Sequence, residues 1–235
     1  HFGTTHPEIG RTKSNQAEAA MQLGEYERAM RLALEGHTMR RQLLGVKNLN
    51  VHHSAQIAAL VRYHRGEYER AMVLLEEGLI SSTLLSKTHF TVAYNLNLRA
   101  DVLLAMGETS EALRNAKQAL AILETRFGKS HLEVGYMLNT IAKIKAEREN
   151  HPESIRLYQR GIEILTTHQS SNGFFLALPH AELGDVFLQT GDKKRARHHI
   201  DEADRILTMQ KSKAIPTIAF VQYGRAKLNL AEKRD

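Results

Sequence analysis

Small and apolar residues recur along the chain at helical spacing, and short polar turns led by glycine interrupt them at a nearly constant interval. Gly24-Glu25-Tyr26-Glu27-Arg28-Ala29-Met30 returns almost unchanged as Gly66-Glu67-Tyr68-Glu69-Arg70-Ala71-Met72, 42 residues on. Gly107-Glu108-Thr109-Ser110-Glu111-Ala112-Leu113 follows, and weaker copies begin at Glu149 and Gly191. Seven positions before each turn stands a small residue: Ala17, Ala59, Ala100, Ala142 and Gly184, with Ala226 in the same place near the end. Twelve positions after the turn comes another: Gly36, Gly78, Ala119, Gly161 and Ala203. Leu32, Leu74 and Leu157 lie beside these at helical spacing.

The pattern predicts helix pairs. Small side chains let two helix backbones approach, and the leucines fill the space beside the contact. The turn glycine supplies a left-handed conformation that other residues resist. A glycine inside a helix costs about 1 kcal/mol relative to alanine, so its return at a packing position means that close approach outweighs propensity. Around Asn150-His151-Pro152 the turn glycine is lost, which predicts a locally altered hairpin angle.

Composition narrows the function classes. Hydrophobic residues form 42% of the chain and charged residues 25%, ordinary values for a folded protein. The absence of cysteine excludes disulfides and thiolate metal sites and points to an intracellular, cytoplasmic home. No apolar run approaches the roughly 18 residues that span a bilayer. Lys plus Arg number 32 against 26 Asp plus Glu, a modest basic excess. The densest clusters are Arg40-Arg41 and Lys193-Lys194-Arg195, too short for a nucleic-acid arm. Of the thirteen histidines, His52-His53 and His198-His199 are adjacent pairs that point to different sides of a helix. The expectation is surface or loop histidines and no metal site. The chain lacks a Gly-x-Ser-x-Gly elbow and a phosphate-cradling Gly-x-x-x-x-Gly-Lys-Ser/Thr loop; the reading is of a non-enzyme without a cofactor.

Small residues placed before and after a Gly-x-Tyr-x-x-Ala turn resemble the tetratricopeptide repeat. Leu44-Gly45, Phe127-Gly128-Lys129-Ser130-His131 and the opening His6-Pro7-Glu8-Ile9 resemble the longer, kinesin-light-chain class of that repeat. His-Pro is kept only at the first repeat; Asn50-Val51, His89-Phe90 and His131-Leu132 take its place later. The resemblance implies an all-α fold: a right-handed superhelical α-solenoid of antiparallel helix hairpins. Repeats fall at about residues 6–45, 48–87, 89–128, 131–170 and 173–212. They are followed over 215–232 by a C-terminal helix that Pro216 opens and that serves as a cap, its outer residues Lys227, Lys233 and Arg234 being polar, or as the first helix of a next repeat. Phe2-Gly3 aligns with Leu44-Gly45 and reads as the tail of an earlier repeat, and Gln169-Ser170-Ser171-Asn172-Gly173 reads as an exposed connection.

In this family the first helix of each hairpin lines a concave groove. Carried onto this sequence, one row is Arg11, His53, Tyr94, Tyr136, Leu178 and Phe220. A second is Ser14, Gln56, Asn97, Asn139, Ala181 and Tyr223, and a third is Glu18, Leu60, Asp101, Lys143, Asp185 and Lys227. The expected site comprises Arg11, Ser14, Glu18, His53, Gln56, Tyr94, Asn97, Asp101, Tyr136, Asn139 and Lys143. Carboxamides can pair with the backbone of an extended peptide without reading its sequence, and tyrosines add flat area with a polar tip. The partner is a protein or peptide, and a segment of the same protein is an alternative that would make the repeats a regulatory, sensor or autoinhibitory part of a signalling protein. A self-assembling structural array is a second alternative.

Overall fold

The structure is a computed structural model describing residues 6–83, 89–168, 173–209 and 215–233. Phe2-Gly3, residues 169–172 of the polar connection, and Arg234 lie outside the described residues. Among the described residues every regular element is an α-helix: α1 (Pro7–Gln22), α2 (Tyr26–Leu44), α3 (Leu49–His64), α4 (Tyr68–Thr83), α5 (Phe90–Ala105), α6 (Thr109–Phe127), α7 (Leu132–Glu147), α8 (His151–His168), α9 (Phe174–Gln189), α10 (Lys193–Met209) and α11 (Ile215–Glu232). The chain forms two compact units, His1–Ile122 and Leu123–Asp235.

Residues that open the repeats act as helix caps. His6 Nδ1 accepts the Glu8 amide at 3.2 Å, Asn48 Oδ1 accepts Asn50 N–H at 2.9 Å, and His131 Nδ1 accepts Glu133 N–H at 3.3 Å. His89 does the same for Thr91 at the start of α5. Each fills an amide that the first helical turn cannot satisfy internally.

In the first unit α1 packs along α2 and α3 along α4, with α5 against α4. The core joins Ala17, Ala20 and Met21 to Ala29, Met30 and Ala33, and both to Ile57, Ala58 and Val61 of α3. A second cluster joins Ala59, Ala71, Leu75, Leu98 and Val102. In the second unit α7 pairs with α8 and α9 with α10, and α11 lies on α9 and α10. Leu165, Ala177, Ala181, Ala203, Ile206 and Val221 form its core. The small-residue positions are buried throughout, with Ala17, Ala59, Ala100, Ala142 and Ala203 at 0% exposure. Ala226 alone among them is exposed.

The turn glycines adopt the left-handed backbone, as at Gly66 with φ 76°. Glu149 adopts it too, at φ 56°. Its turn carries the same bonds as the glycine turns. Glu149 N–H donates to Ala146 O at 2.8 Å and Asn150 N–H to Lys145 O at 2.9 Å, as Gly66 and Glu67 do to Tyr63 and Arg62, both at 2.9 Å. Losing glycine therefore leaves the turn's hydrogen bonding intact, and the change is absorbed as backbone strain of about 1–2 kcal/mol at one residue. Among the described residues no helix is long and apolar enough to cross a membrane.

Candidate peptide-binding face

Of the first helices, α3, α5, α7 and α9 are buried on most of their circumference and open mainly along one stripe, while α1 is exposed more widely, at Arg11, Thr12, Asn15, Gln16, Glu18, Ala19 and Gln22. On α3 the stripe runs through Leu49, His53, Gln56, Leu60 and Tyr63; on α5 it runs through Phe90, Tyr94, Asn97, Asp101 and Ala105. Spacings of three and four residues put these on one helix face. His53, Gln56, Tyr94, Asn97 and Asp101 therefore lie together on the open side of the first unit's first helices. Phe90 meets Tyr94 edge-on at 5.7 Å. On α1, Arg11 and Glu18 are exposed, and Arg11 pairs with Glu8 at 2.7 Å.

Ser14 belongs elsewhere. It is 0% exposed, and its hydroxyl donates to Gly10 O at 3.0 Å in the seam with α2.

In the second unit the middle row is displaced by one residue. The open positions of α7 are Tyr136, Thr140 and Lys143, and those of α9 are Phe175, Leu178, Glu182, Asp185 and Gln189. Asn139 and Ala181, the expected members, are 7% and 1% exposed. Asn139 lies against the α8 backbone, where a methyl group placed on Gly161 would run into its Oδ1. This carboxamide therefore sits in the hairpin seam, while Thr140 takes the outward place.

The second unit's face is also the more apolar. Phe175 is 52% exposed, Leu178 39% and Tyr223 62%. Tyr136 packs edge-on to Phe175 at 6.0 Å. Lys227 of α11 pairs with Asp185 of α9 and sits 5.4 Å from the Tyr223 ring centre. Both partners of this ion pair belong to the third expected row.

Several polar residues in the helix seams went unread in the sequence. Arg40, grouped there with Arg41 as one of the densest basic clusters, is 1% exposed. Its guanidinium donates to Asn50 O at 2.9 Å and Pro7 O at 3.3 Å, joining the starts of α1 and α3 to the end of α2. His52 is 2% exposed, with Nδ1 2.8 Å from Gly78 O. His37 is 6% exposed and bonds Ser54 Oγ at 3.2 Å. Burial, which disfavours the charged imidazole, holds both histidines below their ordinary pKa. These two are not surface histidines. A signal existed for His52: it falls in the place held by Gly10, Ala93, Gly135 and Ala177 in the other repeats. A large polar side chain at a close-approach position must find its partner inside the seam. Among the described residues no group of three or more His, Asp or Glu side chains is placed to hold a metal ion.

Two family models described as tetratricopeptide repeat match the chain, over residues 11–53 and residues 90–167. No curated protein matches it by sequence. Among solved structures, a candidate kinesin light chain of Podosopora anserina with nearly identical TPR-like repeats is 18% identical with TM-score 0.65; the match covers 88% of this chain and 98% of that one. BtubC (BKLC) from P. vanneervenii is 18% identical with TM-score 0.67, covering 86% and 82%. A Rap protein complexed with Competence and Sporulation Factor is 14% identical with TM-score 0.65, covering 96% and 66%. The chain belongs to the tetratricopeptide-repeat family, with the all-α fold of the kinesin-light-chain-like repeat solenoids.

Proposed function

We propose that this protein is an interaction scaffold in which each unit holds an extended or helical segment of a partner on the open side of its own first helices. The observation that carries the reading is the open stripe on well-packed helices in each unit: Phe90, Tyr94, Asn97 and Asp101 on α5 with the matching residues of α3 in the first, and the matching residues of α7 and α9 in the second. Such a stripe combines rigid aromatic area with polar groups fixed by well-packed helices, a composition suited to binding. The Rap structure that shares the fold was solved as a complex with Competence and Sporulation Factor.

The roles divide by unit. In the first, Gln56 and Asn97 hold the partner's backbone, while Arg11, Glu18, His53, Tyr94 and Asp101 select its side chains. In the second, Tyr136, Thr140, Leu178 and Lys143 offer a more apolar seat with a cationic edge.

The test is capture of partners from an extract by the 235-residue chain, followed by titration of whichever protein is retained. Gln56→Ala/Asn97→Ala should weaken that protein at least tenfold with helical circular dichroism unchanged, and Tyr136→Ala/Lys143→Ala should weaken it independently. A partner bound equally by wild type and by both folded variants would move the binding surface off the first helices and sink the proposal.

A further inference from the structure

The reverse side of the first unit holds a separate cavity. Helical geometry advances about 100° per residue, so Val92, Leu96 and Arg99 lie on the side of α5 opposite Tyr94, Asn97 and Asp101. Together with Leu79 of α4 and Glu111, Arg114, Asn115 and Gln118 of α6 they line a space of about 290 Å³. Its apolar wall is Leu79, Val92 and Leu96; its polar wall comes from Arg99 and α6.

The charges in this cavity do not balance. Arg114 Nη2 is 2.5 Å from Glu111 Oε1 and neutralises it. Asn115 Nδ2 donates to Glu111 O at 2.9 Å, so one of its amide hydrogens is held by its own helix. Arg99 has no carboxylate within ion-pair distance among the described residues, and its buried Nε lacks a hydrogen-bond acceptor. A half-buried guanidinium without an anion is unusual, because desolvating a charge is unfavourable unless it is paired. Guanidinium recognises carboxylate by two parallel hydrogen bonds, and the adjoining aliphatic wall takes an apolar side chain.

We propose that this cavity is a second docking site, on the face away from the groove, for an acidic partner segment in which a Glu or Asp stands next to an aliphatic residue. The aliphatic side chain enters against Leu79, Val92 and Leu96, and the carboxylate pairs with Arg99. Arg114 and Gln118 are exposed one turn apart on α6, so the rim admits a segment passing over it and supplies donors to that segment's backbone. The site is independent of the groove: Gln56→Ala/Asn97→Ala leaves it intact.

The probe is the blocked peptide acetyl-Leu-Glu-Leu-Glu-amide, titrated into the 235-residue chain while the Arg99 Nε–H resonance and the Leu79, Val92 and Leu96 methyl resonances are followed. Expected are saturable shifts at all four residues, affinity at least tenfold weaker for acetyl-Leu-Gln-Leu-Gln-amide, and loss of binding in Arg99→Gln with partial retention in Arg99→Lys. The wild-type comparison of the two peptides stands even where Arg99→Gln perturbs folding. A third peptide, acetyl-Leu-Gln-Leu with a free terminal carboxylate, separates a chain end from a side chain. Equal affinity for the Glu and Gln peptides, a response to the free chain end alone, shifts centred on Tyr94 and Asn97, or no response to any peptide would each overturn the proposal.

Discussion

His180 Nδ1 lies 2.9 Å from His199 Nδ1 across the seam between α9 and α10. His199 stacks on Phe187 at 5.5 Å, and the Arg195 guanidinium covers the same ring at 4.4 Å. The two histidines stand where several other repeats place leucine: His199 in the position of Leu32, Leu74 and Leu157 (Asn115 in the third repeat), and His180 in that of Leu96 and Leu138 (Lys13 and Ala55 in the first two). A contact between two imidazole nitrogens holds one proton. Charging both rings gives each Nδ1 a hydrogen, removes the bond and brings two cations together.

Stability of this hairpin should therefore fall in acid. Burial lowers the pKa of His180, and burial with the neighbouring His180, His198 and Arg195 lowers that of His199 to about 4. Glu202 opposes both shifts, but it is already paired with Arg205 at 2.5 Å. Because both folded-state values lie below the unfolded value, the unfolded chain binds more protons between them. Stability is then full above about pH 6.5 and is lost as pH falls toward 4. Thermal melts at pH 7 and pH 4.5 should differ by on the order of 2 kcal/mol for this pair, and His180→Leu/His199→Leu should flatten the dependence. An unchanged pH response in that variant would assign it to other groups.

Glu149→Gly should raise stability by about 1 kcal/mol, because glycine meets no penalty at φ 56°. Denaturant melts against wild type measure it. A destabilised variant would mean that the Glu149 side chain supplies more than the strain removes.

Gly161→Ala should destabilise the α7/α8 hairpin by about 1–3 kcal/mol through overpacking, although alanine is the better helix former. The added methyl meets Asn139 Oδ1 and stands 2.9 Å from Gly135 O. In an Asn139→Ala background part of the loss should return, since one of the two obstacles has gone. Full additivity in that double-mutant cycle would place Asn139 outside the seam.

Arg40 and Arg41 are neighbours with opposite roles. Arg40→Met should cost about 2–4 kcal/mol, because Asn50 O and Pro7 O lose their buried charged donor. Arg41 is exposed and pairs with Glu77 at 2.7 Å, so Arg41→Met should change stability by less than about 1 kcal/mol. Hydrogen exchange at the start of α3 reads the difference directly: faster exchange in the Arg40 variant alone is expected.

The helix pairs were legible because they rest on local rules. Small residues such as Ala59 and Gly78 recur at fixed distances from a turn glycine, and that spacing alone brings two helices into close contact. Helical spacing was legible on α3 and α5, where His53 and Gln56, and Tyr94 and Asn97, share one open helix face. On α7 and α9 the outer rows stay open at Tyr136, Lys143, Leu178 and Asp185, and only the middle row shifts, with Asn139 and Ala181 turned inward and Thr140 and Glu182 outward. One position is about 100° of rotation on a helix, and a repeat period fixes the helix face only to that precision.

By itself the sequence determined the repeating hairpin, its turns and its close-approach positions, since these follow from backbone sterics and helical period. Tertiary structure decided the fate of the polar side chains. Arg40 reads as a surface cation and His199 as one more histidine until the carbonyls and rings around them are placed. Whether a polar group meets water or a buried partner depends on atoms far away along the chain, as with Arg40 and Pro7, 33 residues apart. No local pattern carries that information, because burial and pairing belong to the packed seam and not to the helix that supplies the residue.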